Sequence, residues 1–235
     1  MGAKALFFDV GNTLLFPDRK RMLQALHERD IFPSEELLRE IERQTKGKFD
    51  SLIESNSGVD HGFWRMFYSR LLQELQIDGE SIVADLVSRT RISANWCQIR
   101  PGTREALQRL SKRHRLAVIS NADGRIAEVL AHCGIADCFE TITDSGIVGK
   151  EKPHPEIFAA ASRSLGVLAD ESIYIGDVYS VDYLGAVRFG MQSILFDVAG
   201  AYRDRDLPRV ESLEELESHL VEVPLTLAKS EQTKA

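Results

Sequence analysis

With 235 residues, 43 % hydrophobic and 28 % charged, the chain has the composition of a globular protein large enough for one core plus a smaller insert. Its formal net charge of -7 argues against a nucleic-acid partner or an anionic membrane surface, since each wants a basic face. No stretch is apolar over the length of a membrane span, and Met1 to Lys4 run straight into a strand pattern, so neither a membrane anchor nor a signal peptide is expected. The first expected strand is Ala5–Phe8, a short apolar run that stops abruptly at Asp9. From Phe16 to Asn95 the pattern changes to helical spacing with no convincing strand, and the Trp64, Phe67 and Tyr68 cluster falls within it. Strand-like runs return at 116–120, more weakly at 141–142, then at 172–175 and 192–196. Helical patterns separate them at 103–113, 124–133, 155–165 and 181–189, with another at 213–220. The polar end, 225–235, is expected to fray.

Strands alternating with helices predict an α/β fold with a doubly wound parallel, Rossmann-like sheet. Its core would comprise residues 1–15 and 96–235, and the inserted helical subdomain residues 16–95. The three cysteines, Cys97, Cys133 and Cys138, have no metal spacing and leave an odd thiol, which points to a reducing cytoplasm.

In an open α/β sheet, ligands bind beyond the carboxyl ends of the strands, where strand order reverses. Listing the polar residues at those ends gives Asp9 and Thr13 after the first strand, and Ser120 and Asn121 after the second. Lys152 stands at the start of the 155–165 helix, and Asp177 and Asp182 follow the fourth strand. Each alone reads as a turn former, a helix cap or a surface lysine. Their order, each at a strand end, predicts a single cleft.

The segments FFDVGNT, VISN, GKEKPHPEIF and YIGDVYSVDYLGA resemble the four motifs of the haloacid dehalogenase-like (HAD) hydrolase superfamily, and the insert is similar in place to its α-helical cap. The resemblance implies that Asp9 is a nucleophile that forms an aspartyl-phosphate. It also implies Mg²⁺ bound by Asp9, Asp177 and the Gly11 carbonyl, with Asp182 in support. Lys152 would neutralise Asp9 and the phosphoryl oxygens, Ser120 and its neighbour Asn121 would face the phosphoryl group, and Thr13 would orient the loop. The implied partner is a small phosphorylated metabolite.

One position departs from that pattern. The family's phosphatases place a second aspartate two residues after the nucleophile as proton carrier, and here that residue is Gly11. Four readings stay open. The first is a phosphatase with weakened or unusual activity, favouring aryl or acyl phosphates or borrowing an acid from Asp60 or His61. The second is a 2-haloacid dehalogenase, with Arg65 or Arg70 taking the substrate carboxylate. The third is a phosphonatase using Lys46 or Lys48 to form an imine, although two lysines beside Gly47 also read as a solvated helix end. The fourth is a degenerate module that binds without turnover.

Overall fold

The computed structural model describes residues 3–55 and 62–222. In chain order its elements are β1 (Ala5–Phe8), β2 (Leu15–Pro17), α1 (Arg19–Met22), α2 (Gln24–His27), α3 (Glu35–Ser55), α4 (Phe63–Glu74) and α5 (Glu80–Thr90). There follow β3 (Trp96–Ile99), α6 (Thr103–Leu110), β4 (Arg115–Ser120), α7 (Ile126–His132), β5 (Thr141–Asp144), α8 (Ser145–Val148) and α9 (Pro155–Leu165). The last are β6 (Ser172–Gly176), α10 (Leu184–Phe189), β7 (Gln192–Phe196), β8 (Arg209–Val210) and α11 (Leu213–Glu222).

Six strands form one parallel sheet in the order β5-β4-β1-β6-β7-β8. Parallel strands need crossovers, and the crossover helices cover both faces. This is why β1 is buried at every position. Leu6, Phe8, Val118 and Ile175 point to one face and pack with α6, α7 and α11; Phe7, Ala117 and Tyr174 point to the other and pack with α9. The chain leaves β1 for β4 and β5 on one side, then crosses to β6, β7 and β8 on the other. Strand order therefore reverses at β1, and a crevice opens at its carboxyl end.

Helices α3 to α5 carry their own apolar cluster, centred on Leu38, Ile41, Phe67, Tyr68, Leu71 and Leu86. Along α3 the buried positions recur at helical spacing, but their chemistry changes: after Leu38 and Ile41 come Thr45, Lys46, Phe49 and Asp50. That one face leaves the helical cluster and reaches the sheet's edge.

Three features differ from the sequence reading. Phe16 and Pro17 belong to a strand, since β2 pairs antiparallel with β3 (Leu15↔Ile99, Phe16↔Gln98) to make a ribbon where the helical segment departs and returns. The helical spacing that starts after Phe16 opens with two short helices broken at Leu23. The pattern from Val181 opens with a wide π-type turn, Tyr179–Tyr183, before α10 begins. No described helix is long and apolar enough to cross a membrane.

Candidate active site

Register alone brings the strand-end residues together. Phe8 pairs with Val118 on one side and Ile175 on the other, and the Asp9 N–H donates to the Ile175 carbonyl at 2.8 Å. Asp9, Ser120 and Asp177 thus leave the sheet within two residues of one level, and all three are buried.

Lys152 is 3 % exposed, and its ammonium has three acceptors: Asp9 Oδ1 at 2.6 Å, Asp182 Oδ1 at 2.7 Å and the Tyr174 hydroxyl at 2.7 Å. An ammonium has three protons to give, so this set saturates it. Asn121 fixes the lysine's backbone, accepting from its N–H at 2.7 Å and donating to its carbonyl at 3.1 Å. Asp182 also accepts from the Tyr174 hydroxyl at 3.0 Å and from the Val178 N–H at 3.0 Å. This approach depends on Gly176, where a Cβ would lie 2.6 Å from Asp182 Cγ.

Thr13 is buried in the loop after β1, and its hydroxyl has no hydrogen-bonding partner among the described residues. Asn12 takes the left-handed conformation (φ 53°) that asparagine tolerates, and its Nδ2 lies 3.4 Å from Asp177 Oδ2. Gly11 has no such backbone need: its φ is not positive, and the atoms nearest to an added Cβ belong to the Trp96 ring, at 3.4 Å.

The residue least visible in the sequence is Lys46. Far from lying on a solvated helix end, it is 1 % exposed, with its ammonium 2.8 Å from Asp177 Oδ2 and 3.0 Å from Glu42 Oε1. Burial works against its charge, but Asp177 and Glu42 overcome this and hold its pKa well above the ordinary lysine value. Enclosed between two carboxylates and outside the lining of the cavity above Asp9, the amine is not placed for the imine role; Lys48 is exposed. Four residues on, Asp50 accepts from the Ser180 N–H at 3.0 Å, a second tie between α3 and the loop after β6. Arg65 pairs with Glu80 at the surface, and neither Arg65 nor Arg70 lines the cavity above Asp9. Asp60 and His61 lie outside the described residues.

Oxygens of Asp9, Asp177 and Asp182 lie within 4.8 Å of one another. With Glu42 they make four carboxylates facing the ammoniums of Lys46 and Lys152, so the cluster is two positive charges short. The acid strengths reflect that deficit. Burial, opposed by Lys152 and reinforced by Asp182 and Asp177, raises Asp9 to about 7. Burial, opposed by Lys46 and reinforced by Asp182, raises Asp177 to about 6. For Lys152, burial is outweighed by Asp182 and Asp9, which lift it to about 12. Clustered carboxylate oxygens and a shortage of two charges fit one hard divalent cation.

Above this charged floor lies a cavity of about 460 Å³. Its wall includes four aromatic rings in sequence: Phe49 to Phe63 at 5.4 Å between centroids, Phe63 to Trp64 at 5.0 Å, and Trp64 to Trp96 at 5.5 Å.

A doubly wound sheet with carboxylates and a lysine gathered at its switch point defines an α/β protein with an acidic site at the strand ends. Residues 3–190 match the haloacid dehalogenase-like hydrolase family, and the chain belongs to it. It is 30 % identical over 218 residues to a glyceraldehyde 3-phosphate phosphatase of Methanopyrus kandleri, covering 86 % of this chain and 87 % of that one. It is 34 % identical over 117 residues to haloacid dehalogenase-like hydrolase domain-containing protein 3 of Xenopus laevis, spanning about half of either chain (49 % and 48 %). Among solved structures, the HAD-hydrolase YfnB of Bacillus subtilis, bound to magnesium, superposes with a TM-score of 0.68 at 18 % identity, over 94 % of this chain and 99 % of that one. That likeness shows the shared fold.

Proposed function

We propose that the chain is a Mg²⁺-dependent phosphatase of small phosphorylated metabolites, acting through an aspartyl-phosphate on Asp9. The observation that carries this reading is the Lys152 ammonium bridging Asp9 and Asp182 beside Asp177, at the sheet's switch point and beneath a cavity. The archaeal relatives called glyceraldehyde 3-phosphate phosphatase support the phosphoryl chemistry, and the magnesium bound in YfnB supports the cation. Three free cysteines suit a reducing cytoplasm.

Asp9, Asp177 and the Gly11 carbonyl would hold Mg²⁺, which would supply positive charge to balance the phosphoryl oxygens. The chain's own residues do the rest. Asp9 attacks phosphorus, and the leaving oxygen departs with its electron pair. Lys152 screens the two anions from each other and fixes the Asp9 carboxylate for in-line approach. Ser120, lining the same cavity, donates its hydroxyl to the phosphoryl group, while Asn121 acts through the backbone of Lys152. Asp182 holds Lys152 and the turn at Val178, and Thr13 sets the loop through its backbone N–H, which donates to the Val10 carbonyl at 3.3 Å. Water then cleaves the aspartyl-phosphate.

In this reading residues 16–95 form a cap on a core made of 1–15 and 96–235, with the β2–β3 ribbon as its hinge and Lys46 and Asp50 as ties that close it. The test is hydrolysis of p-nitrophenyl phosphate. The reaction requires Mg²⁺, stops with EDTA, and is lost in Asp9→Asn; turnover that survives Asp9→Asn removes the mechanism.

A further inference from the structure

We infer that this site, on the phosphatase reading above, is built for aryl phosphates: monoesters whose leaving group is a phenol carried on a flat ring. Two independent features point there, one chemical and one geometric.

The chemical feature is the missing proton carrier. Gly11 stands in an ordinary backbone conformation with room for a Cβ, so the chain's geometry does not impose glycine here. No histidine lines the cavity among the described residues. Beyond the charged floor its acids are Asp123 and Glu151. Asp123 already accepts from the Ser93 hydroxyl at 2.6 Å and its N–H at 3.1 Å. Those bonds outweigh its partial burial and hold it below the usual carboxylate range, so it has no proton to give. Glu151 is exposed to solvent. A site whose described lining offers no donor selects esters whose leaving group departs as a stable anion. Phenolate qualifies, since a phenol has a pKa of about 10, and an aliphatic alkoxide does not.

The geometric feature is the ring wall. The space that a second aspartate would occupy is faced by the Trp96 indole, whose nitrogen is tied to the Thr90 carbonyl at 2.8 Å. From there Trp64, Phe63 and Phe49 continue an apolar surface along the cavity that holds Asp9. Flat rings stack or meet edge-on against such a surface, and each aromatic pair gains from this beyond its area burial. The proposed step balances simply. An Asp9 oxygen bonds to phosphorus, the phosphorus–phenol bond breaks, and phenolate leaves with the pair to be protonated by solvent. Water then displaces Asp9 and yields inorganic phosphate.

Phenyl and benzyl phosphate share a ring but differ in leaving group, so their kcat/KM values on the full chain with Mg²⁺ isolate the missing donor. Phenyl phosphate is expected to win by about 100-fold or more, the worth of one acid. Phenylphosphonate and methylphosphonate isolate the wall, and the phenyl compound is expected to inhibit about tenfold more tightly, an advantage that shrinks in Trp64→Leu. Equal turnover of phenyl and benzyl phosphate overturns the inference, as does equal inhibition by the two phosphonates. Acetyl phosphate separates the layers, having a good leaving group and no ring. If acetyl phosphate is hydrolysed while the aryl preferences are absent, the inference falls and the phosphatase reading stands. If nothing is hydrolysed, acetyl phosphate included, both fall.

Discussion

The floor and the wall of the cavity are made by different physics. The floor is charged and comes from strand ends: parallel register brings Asp9 and Asp177 to one level, Asn121 after β4 holds Lys152 there, and the turn after β6 returns Asp182 to them. The wall is aromatic and comes from α3, α4 and the ribbon, where helix packing and one strand pairing set the positions of Phe49, Phe63, Trp64 and Trp96. The contrast separates what the protein does from what it does it to. On the proposed function, chemistry would rest on the edge of a sheet, and selectivity on a layer joined to it by a two-strand ribbon and a few polar ties. Lys46 is the exception, a buried residue of α3 whose charge reaches the floor.

The sharpest way to break that division is to disarm the floor alone. Lys152→Met strands Asp9 and Asp182 without their shared cation and is expected to lower kcat/KM about 10³-fold, with a loss of roughly 3–5 kcal/mol in folding stability. A modest effect on both would mean the lysine is not the floor's organising charge. Next, Gly11→Asp places a carboxyl where floor meets wall. It should raise turnover of alkyl phosphates by about 10²-fold or more and leave aryl turnover nearly unchanged. Equal gains for both classes would show that Gly11 is not the limiting defect.

Lys46→Met probes the exception. It removes a positive charge next to the proposed cation, so Mg²⁺ affinity measured by titration calorimetry should rise about tenfold, while the metal-free protein melts at a lower temperature. Weaker Mg²⁺ binding would contradict the placement of the ion.

The smallest effect is a slope with pH. Asp9 (to about 7), Asp177 (to about 6) and Asp50 are raised from 3.8 chiefly by burial. Between about pH 4 and 7 the folded chain therefore binds more protons than the unfolded one, and stability falls as pH rises. The carboxylates held below their ordinary values by their arginine partners, such as Asp137 and Glu140, act in the opposite direction, at the acid end of the range. Metal-free Tm should decline from pH 5 to pH 8, and Mg²⁺ should flatten the decline. A Tm that rises across that range would refute the charge deficit.

Much of the floor was legible in the sequence because its signals are local: an apolar run, then Asp9; an apolar run, then Ser120; Gly176 before Asp177. The parallel sheet followed from the same runs, since strands covered on both faces read as continuous apolar segments. The wall was not legible. β2 and β3 are three and four residues long and one contains Pro17, so neither carries an alternating pattern. β8, two residues at the sheet's edge, was invisible for the same reason. Lys46 sat beside Gly47 and Lys48 as if solvated. The one available signal was its spacing from Leu38, Ile41 and Phe49, which places it on the buried face of a helix longer than the apolar pattern suggested.

The most direct measurement is rapid quenching of the enzyme with Mg²⁺ and p-nitrophenyl phosphate, followed by mass spectrometry of the proteolysed chain. One added phosphoryl group is predicted on the peptide containing Asp9, removable by hydroxylamine and absent in Asp9→Asn. A phosphoryl group on any other residue, or turnover by Asp9→Asn at the rate of the unaltered protein, would contradict it.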